Sequence, residues 1–122
     1  MQDPSNLQVW NRVIDLAVRV NHFASYIRST NAPGLANQMR RASTSIPANI
    51  AEGAGQDTPA QFARFLSMAI GSAFELESHV VLAQRLQPAL RNMDAVVDET
   101  RQVRRMLHGL RAYQLKKSRA AR

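Results

Sequence analysis

The stretch Gln38-Met-Arg-Arg-Ala-Ser-Thr-Ser-Ile-Pro-Ala-Asn-Ile-Ala-Glu-Gly-Ala-Gly55 reads as a helix with a proline inside it and a glycine stop. Its apolar row, Leu35, Met39, Ala42 and Ile46, recurs at steps of four and three, the spacing of one helix face. The same register continues to Asn49 and Gly53. Pro47 removes the backbone bond to the carbonyl of Ser43 and its ring crowds that turn, so a kink at Pro47 is expected in a helix that otherwise continues. Ser43, Thr44 and Ser45 supply hydroxyls that bond to nearby carbonyls in such a turn. Gly53 or Gly55 closes the helix.

Before it, Asn31-Ala-Pro-Gly34 predicts a turn, which starts the second helix near Leu35. The first helix is expected over 5–28, with Ser5 and Gln8 as a capping box. Val9, Val13, Leu16, Val20, Phe23 and Ile27 form its inner row, and Leu7, Trp10, Ile14 and Ala17 a second one. Trp10 reads as core or subunit contact rather than a ligand platform. After it, Thr58, Pro59 and Gln61 predict a capped start for a third helix over 59–86. Phe62, Leu66, Ala69, Ala73, Leu76, Val80 and Ala83 hold the spacing throughout, widened by Ile70, Phe74 and Val81. Gly71 lies among small residues, where another helix is expected to approach closely. Gln87-Pro88 breaks the chain, and a fourth helix is expected over 89–115, followed by a disordered basic tail, 116–122. Its row is Met93, Val96, Thr100, Val103, Leu107 and Leu110, flanked by Leu90, Val97, Met106 and Tyr113.

Four helices with short breaks predict one all-α domain, an antiparallel up-down-up-down four-helix bundle. At 122 residues such a domain buries a core without metals or disulfides, and there is no cysteine to make either with thiolates. Met1 to Leu7 lacks the charged leader and apolar run of a signal peptide, and no apolar stretch reads as a membrane span. A soluble, cytoplasmic protein with no membrane partner is the expectation.

The net charge of +7 is uneven: +1 over 1–58, 0 over 59–87 and +6 over 88–122. Arg101, Arg104, Arg105, Arg111, Lys116, Lys117 and Arg119 are therefore candidate nucleic-acid contacts, with a solvated helix face as the bland alternative. Tyr113 is the one aromatic among them, so backbone contact with RNA or DNA is the most they predict. Acidic residues early and basic residues late in this helix also suit its macrodipole.

With these residues in view, the chain resembles the small four-helix-bundle proteins first noted as reading frames within intervening sequences of bacterial large-subunit ribosomal RNA genes. It is similar, more distantly, to the accessory variability determinant of diversity-generating retroelements. Gln38 to Gly53 carries the resemblance most specifically. Phe62-Ala-Arg-Phe-Leu-Ser-Met-Ala-Ile-Gly-Ser-Ala-Phe-Glu-Leu-Glu77, Leu82 to Leu86, and Val9-Trp10 with Asp15-Leu16 continue it. The resemblance implies a left-handed bundle, assembly into a closed ring of five, and no enzymatic activity. It also suggests association with nucleic acid. Ala54-Gly-Gln-Asp57 stands where relatives often carry an aromatic and basic cluster, which argues against a phosphate-binding loop at that hairpin.

Arg40, Arg41, Pro47, Asn49, Glu52, Gly53, Gly71 and Glu75 form the structural signature. Glu52, Asn49, Arg40, Arg41 and Arg64 are expected to make a salt-bridge and capping cluster that fixes the kink and hairpin, within the chain or across a subunit boundary, the alternative being a ligand pocket with Glu52 as base. Glu75 and Glu77 point apart on a helix, so they suit pairing with a neighbouring arginine better than paired acid–base work. His22, His79 and His108 sit on three helices without zinc-ligand spacing. No catalytic, cofactor or metal site and no small-molecule substrate emerge. The function read from the sequence is a non-enzymatic homo-oligomeric scaffold or adaptor, a pentamer, with nucleic-acid binding as the alternative.

Overall fold

The computed structural model describes residues 2–30 and 32–121. Asn31, Met1 and Arg122 lie outside the described residues, and with them one residue of the predicted turn and the last of the predicted tail. After a 3-10 turn, Pro4–Asn6, come α1 (Gln8–Ala24), α2 (Leu35–Ala54), α3 (Pro59–Leu86) and α4 (Met93–Ala120). No strand occurs among the described residues, and the fold is an all-α four-helix bundle.

Contacts across neighbouring helices show their relative directions. Between α2 and α3, Ser45 meets Ser72 while Gly53 meets Phe62 and Phe65. Between α3 and α4, Ser67 meets Arg111, Glu77 meets Arg104 and Gln84 meets Asp94. In both pairs residue numbers rise on one helix as they fall on the other. Arg12 joins α1 to α4 through both carboxylate oxygens of Glu99, each 2.8 Å from Nη2, and through Gln102.

The core follows the periodic rows. All seven predicted inner residues of α3 are buried, as are Val9, Val13, Leu16 and Val20 of α1 and Met93, Val96, Thr100, Val103 and Leu107 of α4. Burying each large aliphatic side chain contributes about 1.5–3 kcal/mol, so the rows define the arrangement energetically. In α2 the row departs from the expected register. Ile50 is fully buried, whereas Asn49 is half-buried and turns its amide back to the carbonyl of Ser45 at 2.9 Å. An amide on the inner seam would lose its hydrogen bonds to water, so the apolar neighbour takes that place.

Pro47 is buried and α2 continues through it. Around it the hydroxyls of Ser43 and Thr44 both donate to the carbonyl of Arg40, each at 2.9 Å. The predicted Thr58 capping box forms, with Gln61 N–H donating to Thr58 Oγ1 and Thr58 N–H to Gln61 Oε1, both at 3.2 Å.

Other helix ends differ from expectation. α1 starts at Gln8, not residue 5, because Asp3 captures Ser5. Its carboxylate accepts the Ser5 hydroxyl at 2.7 Å and backbone N–H at 2.9 Å, which winds Pro4–Asn6 into a separate turn. Those two bonds, the hydroxyl's first, hold the Asp3 carboxyl below its ordinary range. α1 stops at Ala24, not 28, as the N–H groups of Ser25, Tyr26 and Ile27 switch to bonds three residues back. α4 starts at Met93, not 89, after Asn92 in the left-handed region (φ 66°). It runs to Ala120, so residues 116–120 of the supposed disordered tail are helical. Lys, Arg and Ala are good helix formers, and cations suit a helix C-terminus.

α3 also corrects the reading that no segment suits a membrane span. It is long and apolar enough to cross one by length and composition alone. Its core side is packed inside the bundle, and the remainder of its apolar character lies outward.

Candidate functional site

The signature segment does not gather into a pocket. Among the described residues Arg40 reaches only Asn37, at 3.5 Å, and Arg41, Glu52 and Arg64 are exposed. Among the described residues none of these four makes an ion pair, so the expected cluster is not formed within the chain. Arg41 and Glu52 are eleven helical steps apart, about 16 Å of rise, too far for their side chains to meet. Gly53 does the structural work. A Cβ there would lie 2.8 Å from Cβ of Phe65 and 2.9 Å from the Phe62 ring. It is a contact point of α2 on α3 inside the helix, which closes two residues later at Gly55.

Charge is organised between α3 and α4 instead. Glu77, one-fifth exposed, accepts Arg104 and lies 3.4 Å from Arg101. Arg104 also covers the Phe74 ring, 4.2 Å from its centroid. Arg111 Nε donates to Ser67 Oγ at 2.6 Å. Glu75 pairs within its own helix, 3.3 Å from His79 Nε2. Three of the seven candidate nucleic-acid residues are thereby held by α3. Arg105, Lys116, Lys117 and Arg119 are exposed and without ion pairs among the described residues, and Lys117 lies 5.4 Å from the Tyr113 ring centroid.

Outward on α3, Met68, Gly71, Glu75, Leu82 and Leu86 fall along one line of the helix, with Phe74 beside it. Met68, Phe74, Leu82 and Leu86 are exposed. A Cβ at Gly71 would meet nothing within 4 Å, so no helix of this chain makes the close approach expected there.

Among the buried residues that sequence reasoning missed, Ile50 and Gln114 are the two largest. Ile50 was hidden by the register through Asn49. Gln114 is the next step of the row Val103, Leu107, Leu110, and the spacing could have found it. It is 3% exposed and lines a cavity at the end of the bundle with Gln2, Asp57, Thr58, Phe62 and Lys117.

Among the described residues no group of three or more His, Asp and Glu lies close enough together to hold a metal ion. The arrangement is that of a helical bundle whose distinctive surfaces are an apolar line on α3 and a basic late α4. The chain belongs to the family of 23S rRNA-intervening sequence proteins, whose pattern it matches over residues 5–109. It is similar in structure to a protein of unknown function from the S23 ribosomal protein family of Bacteroides thetaiotaomicron. That likeness has 24% identity, covers 84% of this chain and 96% of the other, and has a TM-score of 0.73, which shows the shared fold. No curated protein matches the chain.

Proposed function

We propose that this chain is a non-enzymatic, cytoplasmic scaffold that assembles with copies of itself through the outward face of α3. The carrying observation is the line Met68, Gly71, Leu82 and Leu86, apolar or small and interrupted by Glu75, on a helix whose opposite face already fills the core. An exposed apolar patch of this kind marks an interaction surface. A glycine with open space over it offers a second helix close approach. The copy number of five follows the family resemblance, and the absence of cysteine suits a reducing compartment.

Sedimentation equilibrium at micromolar concentration tests this reading. The expected mass is five times 13.6 kDa, falling to that of one chain in Leu82→Arg with helicity retained. A stable monomer for the unaltered chain overturns it.

A second reading, binding to nucleic-acid backbone, is favoured by Arg105, Lys116, Lys117 and Arg119, which are exposed and make no ion pair among the described residues. Its signature is RNA or DNA affinity that falls steeply with salt and is lost on charge reversal at Arg105 and Lys116.

A further inference from the structure

The apolar line on α3 is one half of a contact, and α1 with its cap carries a second half. Leu7, Trp10, Ile14 and Val18 recur there at steps of three and four. The first three are half-buried at the edge of the core, and Val18 is 66% exposed. Among the described residues each helix touches its two neighbours, while α1 and α3 do not touch and neither do α2 and α4. The four therefore stand at the corners of a square, with α1 diagonal to α3.

Both lines lean toward α2. On α3, Met68, Leu82 and Leu86 stand next to Phe65 and Ser72, which face α2, and away from Ser67 and Glu77, which bond to α4. On α1 the line lies opposite Arg12, whose guanidinium pairs with α4. The two lines thus occupy adjacent sides of the bundle, about a right angle apart and meeting along α2. A contact between two different faces runs head to tail, and faces set at about a right angle close after about four or five copies instead of extending into a fibre.

The chain also fixes the heights of the two lines. Gln2 N–H donates to the carbonyl of Ala54 at 2.7 Å, beside Gly53 and Phe62. At the other end Gln87 bonds the Tyr26 carbonyl at 2.9 Å and the Arg28 N–H at 3.1 Å. These contacts set each residue of the α1 segment level with the one about sixty positions later on α3. Leu7 is then level with Met68, and Trp10 with Gly71. In a ring closed about an axis along the bundle, residues of equal height meet. The one tryptophan comes to the outward glycine with open space over it, and Asp3 comes to Arg64, its opposite in charge, which makes no ion pair among the described residues. A bundle side is about 20 Å wide and Met68 to Leu86 rises about 27 Å, so the contact covers on the order of 1,000 Å2 counted on both partners. That reaches the size of a specific interface, and each copy in a ring makes two.

We propose that copies join head to tail, the α1 line of one seated on the α3 line of the next with Trp10 over Gly71. This rests on the assembly reading and supplies the surface that α3 meets. α2 then faces the middle of the ring and α4 its outer rim, which leaves Arg105, Lys116 and Arg119 exposed.

The test uses the chain's freedom from cysteine. The full chain carrying both Leu7→Cys and Met68→Cys is assembled, mildly oxidised and run on a non-reducing gel. A ladder of linked chains up to the whole ring is expected. Either single variant, and the pair Val18→Cys with Met68→Cys, whose heights differ by about 16 Å, are expected to stay at the mass of one chain. Val18→Arg is expected to lower the mass in sedimentation to one chain, 13.6 kDa, with an unchanged helical circular dichroism spectrum. A monomeric unaltered chain overturns the assembly reading and this contact together. With the unaltered chain assembled, three results overturn the contact alone and leave assembly standing: no ladder from the assembled double variant, Val18→Arg retaining the full mass, or linked pairs from Met68→Cys by itself, which set α3 against α3.

Discussion

Gly53 shows how a single missing side chain can govern the contact of two helices. Alanine is the better helix former, by about 1 kcal/mol in an open helix interior. At Gly53 the added methyl would lie 2.8 Å from Cβ of Phe65 and 3.3 Å from the carbonyl oxygen of Phe62, neither of which can swing aside. Overpacking of that kind costs about 1–3 kcal/mol, so Gly53→Ala is expected to destabilise by up to about 2 kcal/mol in chemical denaturation once its helix propensity is offset. A gain in stability would show that α2 and α3 separate freely. The sequence offered Gly53 or Gly55 as the helix terminator, because glycine near a helix end has a local meaning, and it is Gly55 that caps α2. The contact of Gly53 with Phe62 and Phe65 was not legible, since it depends on the rotation of α2 about its own axis. The misplaced register at Asn49 has the same origin: a four-three pattern leaves open whether the seam passes through 49 or 50, and burial of Ile50 against water exclusion of the Asn49 amide settles it.

Among the helices, α3 carries two apolar faces and α4 two kinds of arginine. The inner face of α3 was legible residue by residue, because seven apolar positions in strict spacing admit one helix phase. The state of Gly71 was not, because spacing cannot say whether the neighbour is another helix of the same chain or of another. Gly71 and Gly109 are both exposed, in helix interiors, with open space over them. Each substitution by alanine is therefore expected to raise the stability of the folded chain by about 0.5–1 kcal/mol. The two separate on assembly. Under the α3 interface reading, Gly71→Ala weakens self-association measured by sedimentation, whereas Gly109→Ala leaves it unchanged. Equal behaviour of the two variants would remove Gly71 from any interface. Helix ends were less legible than helix faces: Asp3 and Ser25 redirect backbone hydrogen bonds through short-range side-chain contacts that a periodic pattern does not register.

Taken together, the bundle turns a basic sequence into a surface whose positive charge is only partly available. A net charge of +7 suggests a polyanion partner, yet Glu77 holds Arg101 and Arg104 against α3, and Glu99 holds Arg12 against α4. Glu77→Gln keeps the side-chain shape and removes the charge that restrains two guanidinium groups. Its carboxylate is about one-fifth exposed, between a surface pair worth about 0–1 kcal/mol and a fully buried one whose breakage costs about 3–5 kcal/mol, so a loss of about 1–2 kcal/mol is expected in thermal or chemical unfolding. Arg104 retains the Phe74 ring, which keeps it near its present position. If late α4 contacts nucleic-acid backbone, the freed arginines extend that surface toward the middle of the helix. Affinity for an arbitrary RNA at low salt should then rise, and the slope of log affinity against log salt should steepen by about one, the increment of one added phosphate contact. A variant that unfolds more easily but binds RNA with an unchanged slope would confine any contact to Arg105, Lys116, Lys117 and Arg119, and a chain that binds no RNA at low salt in either form would exclude the backbone-binding reading altogether.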